Sequence, residues 1–143
     1  MNTHARVRPW SGSGNDALSG DAGADTINAG PGNDTLSGGE GPDKLAGNRG
    51  DDLIDGDAGN DALFGGMGDD TLNGGAGNDF LISGLGTDSI DGGAGDDVIR
   101  AFDFNLNGNV SGDTDTMADV VLGGDGNDTI SANDGDTVTG GDG

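Results

Sequence analysis

No cysteine and no tyrosine occur among the 143 residues, and there is a single tryptophan. Without cysteine there can be no disulfide and no thiolate metal ligand. Positive charge is scarce. Arg6, Arg8, Lys44, Arg49 and Arg100 stand against 27 acidic residues, among which Glu40 is the only glutamate, and the net charge is −22. A polyanion this dense is repelled by phosphate backbones, which excludes nucleic acid as a partner. No apolar run approaches about 18 residues, so no membrane span is expected. The opening MNTHARVRPW has no apolar stretch, so no ordinary secretory leader is expected. Three prolines are too few for a collagen helix despite 33 glycines. Gly and Asp in place of Glu, Lys and Leu disfavour a helical bundle. His4 is the lone histidine, and HExxH, G-x-S-x-G and Cys/His pairs are missing. The chain is therefore not expected to be an enzyme. An acidic disordered chain would fit this composition, and periodicity tests that reading.

From Ser11 the chain falls into ten consecutive blocks of nine residues. They read SGSGNDALS, GDAGADTIN, AGPGNDTLS, GGEGPDKLA, GNRGDDLID, GDAGNDALF, GGMGDDTLN, GGAGNDFLI, SGLGTDSID and GGAGDDVIR. Position 4 is Gly throughout. Position 6 is Asp throughout: Asp16, Asp25, Asp34, Asp43, Asp52, Asp61, Asp70, Asp79, Asp88 and Asp97. Position 8 is Leu or Ile throughout, from Leu18 to Ile99. A disordered low-complexity chain does not hold three positions in register over such a length. A fixed short period means units that stack on their neighbours.

The unit reads as a turn followed by a strand. Positions 1 to 6 are rich in glycine, which takes positive φ without steric cost; Asp21, Asn48 and Asp57 replace it at position 2 and tolerate the same conformation. Positions 7 to 9 form a three-residue strand with position 8 inward. Two units close one turn of a coil, and successive turns stack into two parallel sheets around the position-8 residues. One aliphatic side chain per unit is a thin core, and the stacked Asp column adds repulsion. A cation must sit among these carboxylates. Hard oxygen donors without His or Cys select calcium over zinc or copper, and magnesium is reluctant to give up its waters.

GGMGDDTLN and GGAGNDFLI resemble, at every specified position, the G-G-x-G-x-D-x-U-x nonapeptide of the repeats-in-toxin (RTX) proteins. The resemblance spans Ser11 to Arg100 and resumes at Gly123. It implies an all-β fold, a parallel β-roll (a two-sheet right-handed β-solenoid), with calcium between turns. By the family pattern, two loops 18 residues apart hold each ion. The earlier loop gives the carbonyls of positions 2 and 4 and its Asp; the later gives those of positions 1 and 3 and its Asp. One site would join Asn48, Gly50 and Asp52 to Gly65, Met67 and Asp70. The next on that edge would join Gly66, Gly68 and Asp70 to Ser83, Leu85 and Asp88. On the other edge, Asp57, Gly59 and Asp61 would face Gly74, Ala76 and Asp79. The same pattern assigns position-2 carbonyls of Gly12, Gly30, Gly39 and Gly75. It assigns position-4 carbonyls of Gly14, Gly23, Gly32, Gly41, Gly77 and Gly86. Gly92 and Ala94 follow at positions 1 and 3, and Asp128 extends the acidic column. About eight interior calcium ions are implied. The resemblance also implies a secreted, extracellular bacterial protein exported by type I secretion machinery, with folding triggered by calcium outside the cell. The alternative is the C-terminal module of a secreted protease or lipase, or an adhesin spacer, its active domain lying outside this chain.

Several features depart from the repeat. Pro31 and Pro42 lie in loops and lack an N–H, so weaker sites are expected there. Residues 1–10 are expected to be a disordered tail, 11–100 the roll, 101–122 an insert, and 123–143 resumed repeats. The block ANDGDTVT is one residue short and the chain stops after GGDG, so it reads as part of a longer protein. Within the insert, Asp103, Asn105, Asn107 and Asn109 match the first half of an EF-hand-like loop, but Thr114 stands where the last acidic ligand belongs. An Asn/Asp-rich surface loop is the other reading. Trp10 is expected to cap the first coil. Phe64, Phe80, Ile82 and Val98 are expected to form an exposed apolar patch on one sheet. The insert is expected to cover it, and self-association through the patch is the alternative.

Overall fold

A computed structural model describes residues 11–101, 118–132 and 135–142. The tail with Trp10 and the EF-hand-like Asp103, Asn105, Asn107 and Asn109 lie outside the described residues. The strands are β1 Ala17–Ser19, β2 Thr26–Pro31, β3 Thr35–Glu40, β4 Lys44–Arg49, β5 Leu53–Ala58, β6 Ala62–Met67 and β7 Thr71–Asn73. There follow β8 Phe80–Leu85, β9 Ser89–Asp91, β10 Val98–Ala101, β11 Val120–Leu122, β12 Thr129–Ala132 and β13 Thr137–Thr139. Odd-numbered strands make one sheet, β1-β3-β5-β7-β9-β11-β13, and even-numbered strands the other, β12-β10-β8-β6-β4-β2. Every pairing is parallel, and position 8 pairs with position 8, as in Leu36↔Ile54 and Leu63↔Leu81. The chain is thus a β-solenoid of about 6 turns.

The core is the double row expected from position 8. Ile27, Leu36, Leu45, Ile54, Leu63, Leu72, Leu81, Ile90, Ile99 and Val121 are all buried, while Leu18 and Ile130 near the ends pack only partly. Val138 on the last strand is exposed. A solenoid has no neighbour beyond its terminal turns, so burial fades there.

Backbone conformation follows the sterics of the repeat. Position-2 residues Asp21, Asn48 and Asp57 have φ of 70, 86 and 67°. At position 4 the need for glycine is stricter: Gly77 has φ 141°, and a Cβ there would collide with the Gly59 carbonyl of the turn before.

In three respects the structure differs from expectation. Many strands run six residues, through position 3 of the next unit, because the loop backbones of successive turns also pair, as in Gly66↔Gly84 and Met67↔Leu85. The roll resumes before Gly123, because β11 pairs with β9 through Val121↔Ile90 inside the segment expected to be insert. Phe64, Phe80, Ile82 and Val98 do share the outer face of the even sheet, but they are half-buried rather than exposed. The two rings meet edge to face at 6.3 Å, with Lys44 Nζ 5.4 Å from the Phe64 centroid and Arg100 Cζ 5.3 Å from that of Phe80. Whether the insert adds cover lies outside the described residues.

Candidate metal centre

The turns at each edge of the roll bring the position-6 aspartates into two columns. One column runs Asp16, Asp34, Asp52, Asp70, Asp88, Asp119 and Asp136. The other runs Asp25, Asp43, Asp61, Asp79, Asp97 and Asp128. From Asp34 in one column and Asp43 in the other onward, each carboxylate has one oxygen fixed by an N–H of the preceding turn. The Asp52 N–H donates to Asp70 Oδ1 at 2.8 Å, the Asp70 N–H to Asp88 Oδ1 at 2.8 Å, and the Asp61 N–H to Asp79 Oδ1 at 2.7 Å. The bonding crosses the loop that carries the insert, where the Asp88 N–H reaches Asp119 Oδ1 at 2.7 Å and the Asp97 N–H reaches Asp128 Oδ1 at 3.0 Å.

The second oxygen is left over. Oδ2 of Asp16, Asp25, Asp34, Asp43, Asp52, Asp61, Asp70, Asp79, Asp97 and Asp128 is buried without a hydrogen-bond partner. Each turns back over position 1 of its own unit: a Cβ added to Gly56 or Gly74 would lie 2.7 Å from Oδ2 of Asp61 or Asp79. Burial dominates the acid–base behaviour of the column. It pushes the carboxyls of Asp52, Asp61 and Asp97 up to about 6 and that of Asp70 up to about 7, with neighbouring column charges adding to the rise. Asp43 and Asp79 are raised for the same first reason. The N–H donated to each Oδ1 acts in the opposite sense but does not outweigh it.

A buried row of anionic oxygens without donors is the reverse of what a fold tolerates unless a cation completes it. Among the described residues no three carboxylate or imidazole side chains converge on one point, because carboxylates arrive one per turn. The other donors must be backbone carbonyls, and the loops supply them. Their arrangement is tight: position-2 and position-3 carbonyls already accept N–H groups from adjacent turns, as in Ala76 N–H to Asp57 O at 2.9 Å and Gly41 N–H to Ala58 O at 2.7 Å. Each carbonyl keeps a second lone pair. Carboxylate plus carbonyl, all oxygen, fits calcium.

A second ladder stands outside the first. Position-5 side chains accept from the loop that follows: the Asp51 N–H donates to Asn33 Oδ1 at 3.1 Å, the Asp69 N–H to Asp51 Oδ1 at 3.0 Å, and the Asp96 N–H to Asn78 Oδ1 at 3.1 Å. It runs opposite in sense to the position-6 ladder and clips each loop that carries Asn or Asp at position 5 to the next; Ala24 and Pro42 offer no such acceptor. Sequence reasoning assigned position 5 no role, although Asn15, Asn33, Asp51, Asn60, Asp69, Asn78 and Asp96 stand there. It also passed over Asp119 and Asp136, although ADVVL just before Gly123 and DTVT at the end carry the D-x-apolar signal.

The model of the RTX calcium-binding nonapeptide repeat matches residues 10–45, 37–72, 64–99 and 113–143. The chain belongs to that family. No curated protein matches the sequence. The first three matches begin 27 residues apart, three repeats, so successive copies start on alternate edges of the roll. The RTX chain is a calcium-binding repeat module, and a roll made only of repeats is a structural module rather than a catalytic domain.

Proposed function

We propose that this RTX roll is a calcium-triggered folding module of a bacterial protein exported by type I secretion. The observation that carries the reading is the buried, partnerless Oδ2 on successive turns. Without divalent ions the column opposes folding by self-repulsion and desolvation, so the polyanion stays extended and can thread a narrow channel. RTX repeats are typical of secreted bacterial proteins, and extracellular calcium is plentiful. Sites with Kd of about 10⁻⁴ to 10⁻³ M would stay empty in a cytosol and fill outside. Each interior ion would join two loops 18 residues apart, such as Asn48, Gly50 and Asp52 with Gly65, Met67 and Asp70. About eight such ions would bring the charge of −22 to about −6. Because inner loops serve two ions, filling is cooperative.

The test is far-UV circular dichroism across a calcium titration, with a capped version of the C-terminus in parallel. The expected result is a largely disordered chain in EDTA and a β-rich one in millimolar calcium, with a Hill coefficient above about 2. A β-rich spectrum in excess chelator, or indifference to calcium, would overturn the proposal.

A further inference from the structure

Position 1 of the repeat differs between the two edges of the roll. On one edge it is Gly20, Gly38, Gly56, Gly74, Gly92 and Gly123. On the other it reads Ser11, Ala29, Gly47, Gly65, Ser83 and Ala101. Only the second edge admits a Cβ, and Ala29, Ser83 and Ala101 are there completely buried. The Cβ direction at this position is toward the metal column: one added to Gly65, the neighbour of Ser83 in the preceding turn, would meet both Asp70 Oδ2 and the Ser83 carbonyl.

Two residues of this edge carry a hydroxyl. Ser11 donates its proton to the Ala29 carbonyl. Ser83 has the Ala101 carbonyl as its register equivalent but makes no such bond; its Oγ is buried and without any partner. Leaving a buried hydroxyl unpaired costs about 1–3 kcal/mol, and the equivalent position is alanine one turn later, at Ala101, and alanine again three turns earlier, at Ala29, with Gly47 and Gly65 between. The hydroxyl is therefore not required for packing.

We propose that Ser83 Oγ is a calcium ligand, adding a neutral side-chain oxygen to the ion held between residues 65–70 and 83–88. This rests on the calcium reading of the roll. A neutral donor raises the ligand number without adding charge. Calcium accommodates six to eight oxygens whereas magnesium holds to six, so this site would be the most calcium-selective on its edge.

The experiment uses the full chain and compares Ser83→Ala with Ser83→Gly, titrated with calcium alone and with calcium against millimolar magnesium, beside a calcium-bound crystal structure of the wild type. Expected are a Ser83 Oγ to ion distance of about 2.3–2.6 Å and a calcium midpoint raised about threefold in both variants, the scale of one ligand exchanged for water. The shift should be larger when magnesium competes. A shift in Ser83→Gly alone would assign Ser83 a packing role and overturn the proposal, as would an Oγ outside the ion's ligand sphere. A wild-type chain that ignores calcium would remove the calcium reading itself; a responsive chain with unchanged variants removes only the role of Ser83.

Discussion

Asp70 is the most enclosed member of its column, 1 % exposed, receiving the Asp52 N–H and donating its own N–H to Asp88. Asp16 stands at the end of the column and is only half-buried. If each ion is shared by two loops, Asp70 serves two ions and Asp16 one. Asp70→Ala should then raise the calcium midpoint with roughly twice the free-energy shift of Asp16→Ala, measured by the same dichroism titration; equal shifts would contradict shared ligation. Glycine substitutions probe the backbone at the same scale. Asp57 has φ 67°, in the region that Asp and Asn tolerate, so Asp57→Gly should change stability by less than about 1 kcal/mol. Gly77→Ala faces both a φ of 141° and the Gly59 carbonyl, and should cost more than about 2 kcal/mol in calcium-saturated thermal unfolding. That contrast was legible beforehand, because the left-handed preference belongs to single residue types. The unsatisfied Oδ2 was not, because it depends on the neighbouring N–H capturing Oδ1 and only Oδ1.

At the scale of the element, the unit holds its register through strands, two carboxamide and carboxylate ladders, and loop-to-loop bonding. The period predicted which residues face inward, and it failed where counting failed. Asp88 and Asp119 are 31 residues apart rather than 18, so Ala118–Leu122 looked like insert although it carries the unit's D-x-apolar end. The apolar patch shows a second limit. Period two places Phe64 and Phe80 outward, but their partial cover comes from Lys44 and Arg100, which are lateral neighbours set by the 18-residue pairing. The outer face of the even sheet, with Thr26, Asn28, Lys44, Ala46, Ala62, Phe64, Phe80, Ile82, Val98, Arg100, Thr129 and Ser131, carries no carboxylate, whereas the odd sheet carries Asp55 and Asp91. The stacked cations thus stay clear of the acids that would otherwise pair with them. The insert can be tested as an element. Replacing residues 102–117 with Gly-Ala-Gly would make a nine-residue unit from Ala101 to Leu122, with glycine at positions 2 and 4. The roll should be retained and its calcium midpoint lowered, since one interrupted gap becomes a regular one; loss of β structure in saturating calcium would show that the insert itself is needed for folding.

For the whole molecule, charge and fold are one problem, and acid should partly substitute for calcium. In the metal-free roll the buried carboxyls of Asp52, Asp61 and Asp97 are raised to about 6 and that of Asp70 to about 7, from an ordinary value of 3.8. Between those limits the folded chain binds more protons than the unfolded one, so stability falls as pH rises. The contribution is present in full below about pH 4, and it is lost as pH climbs through 6 to 7. Protonation neutralises the column where an ion would, although it supplies no tie between loops. In EDTA, lowering the pH from about 8 to about 4 should therefore increase β content. In calcium the dependence should reverse, because ligation requires the carboxylate and protons compete for it. The calcium midpoint should rise as pH falls below about 6. Dichroism titrations at pH 4, 5, 6, 7 and 8, with and without calcium, read both branches together. A metal-free chain equally unfolded at every pH would mean that column repulsion is not what holds the roll open.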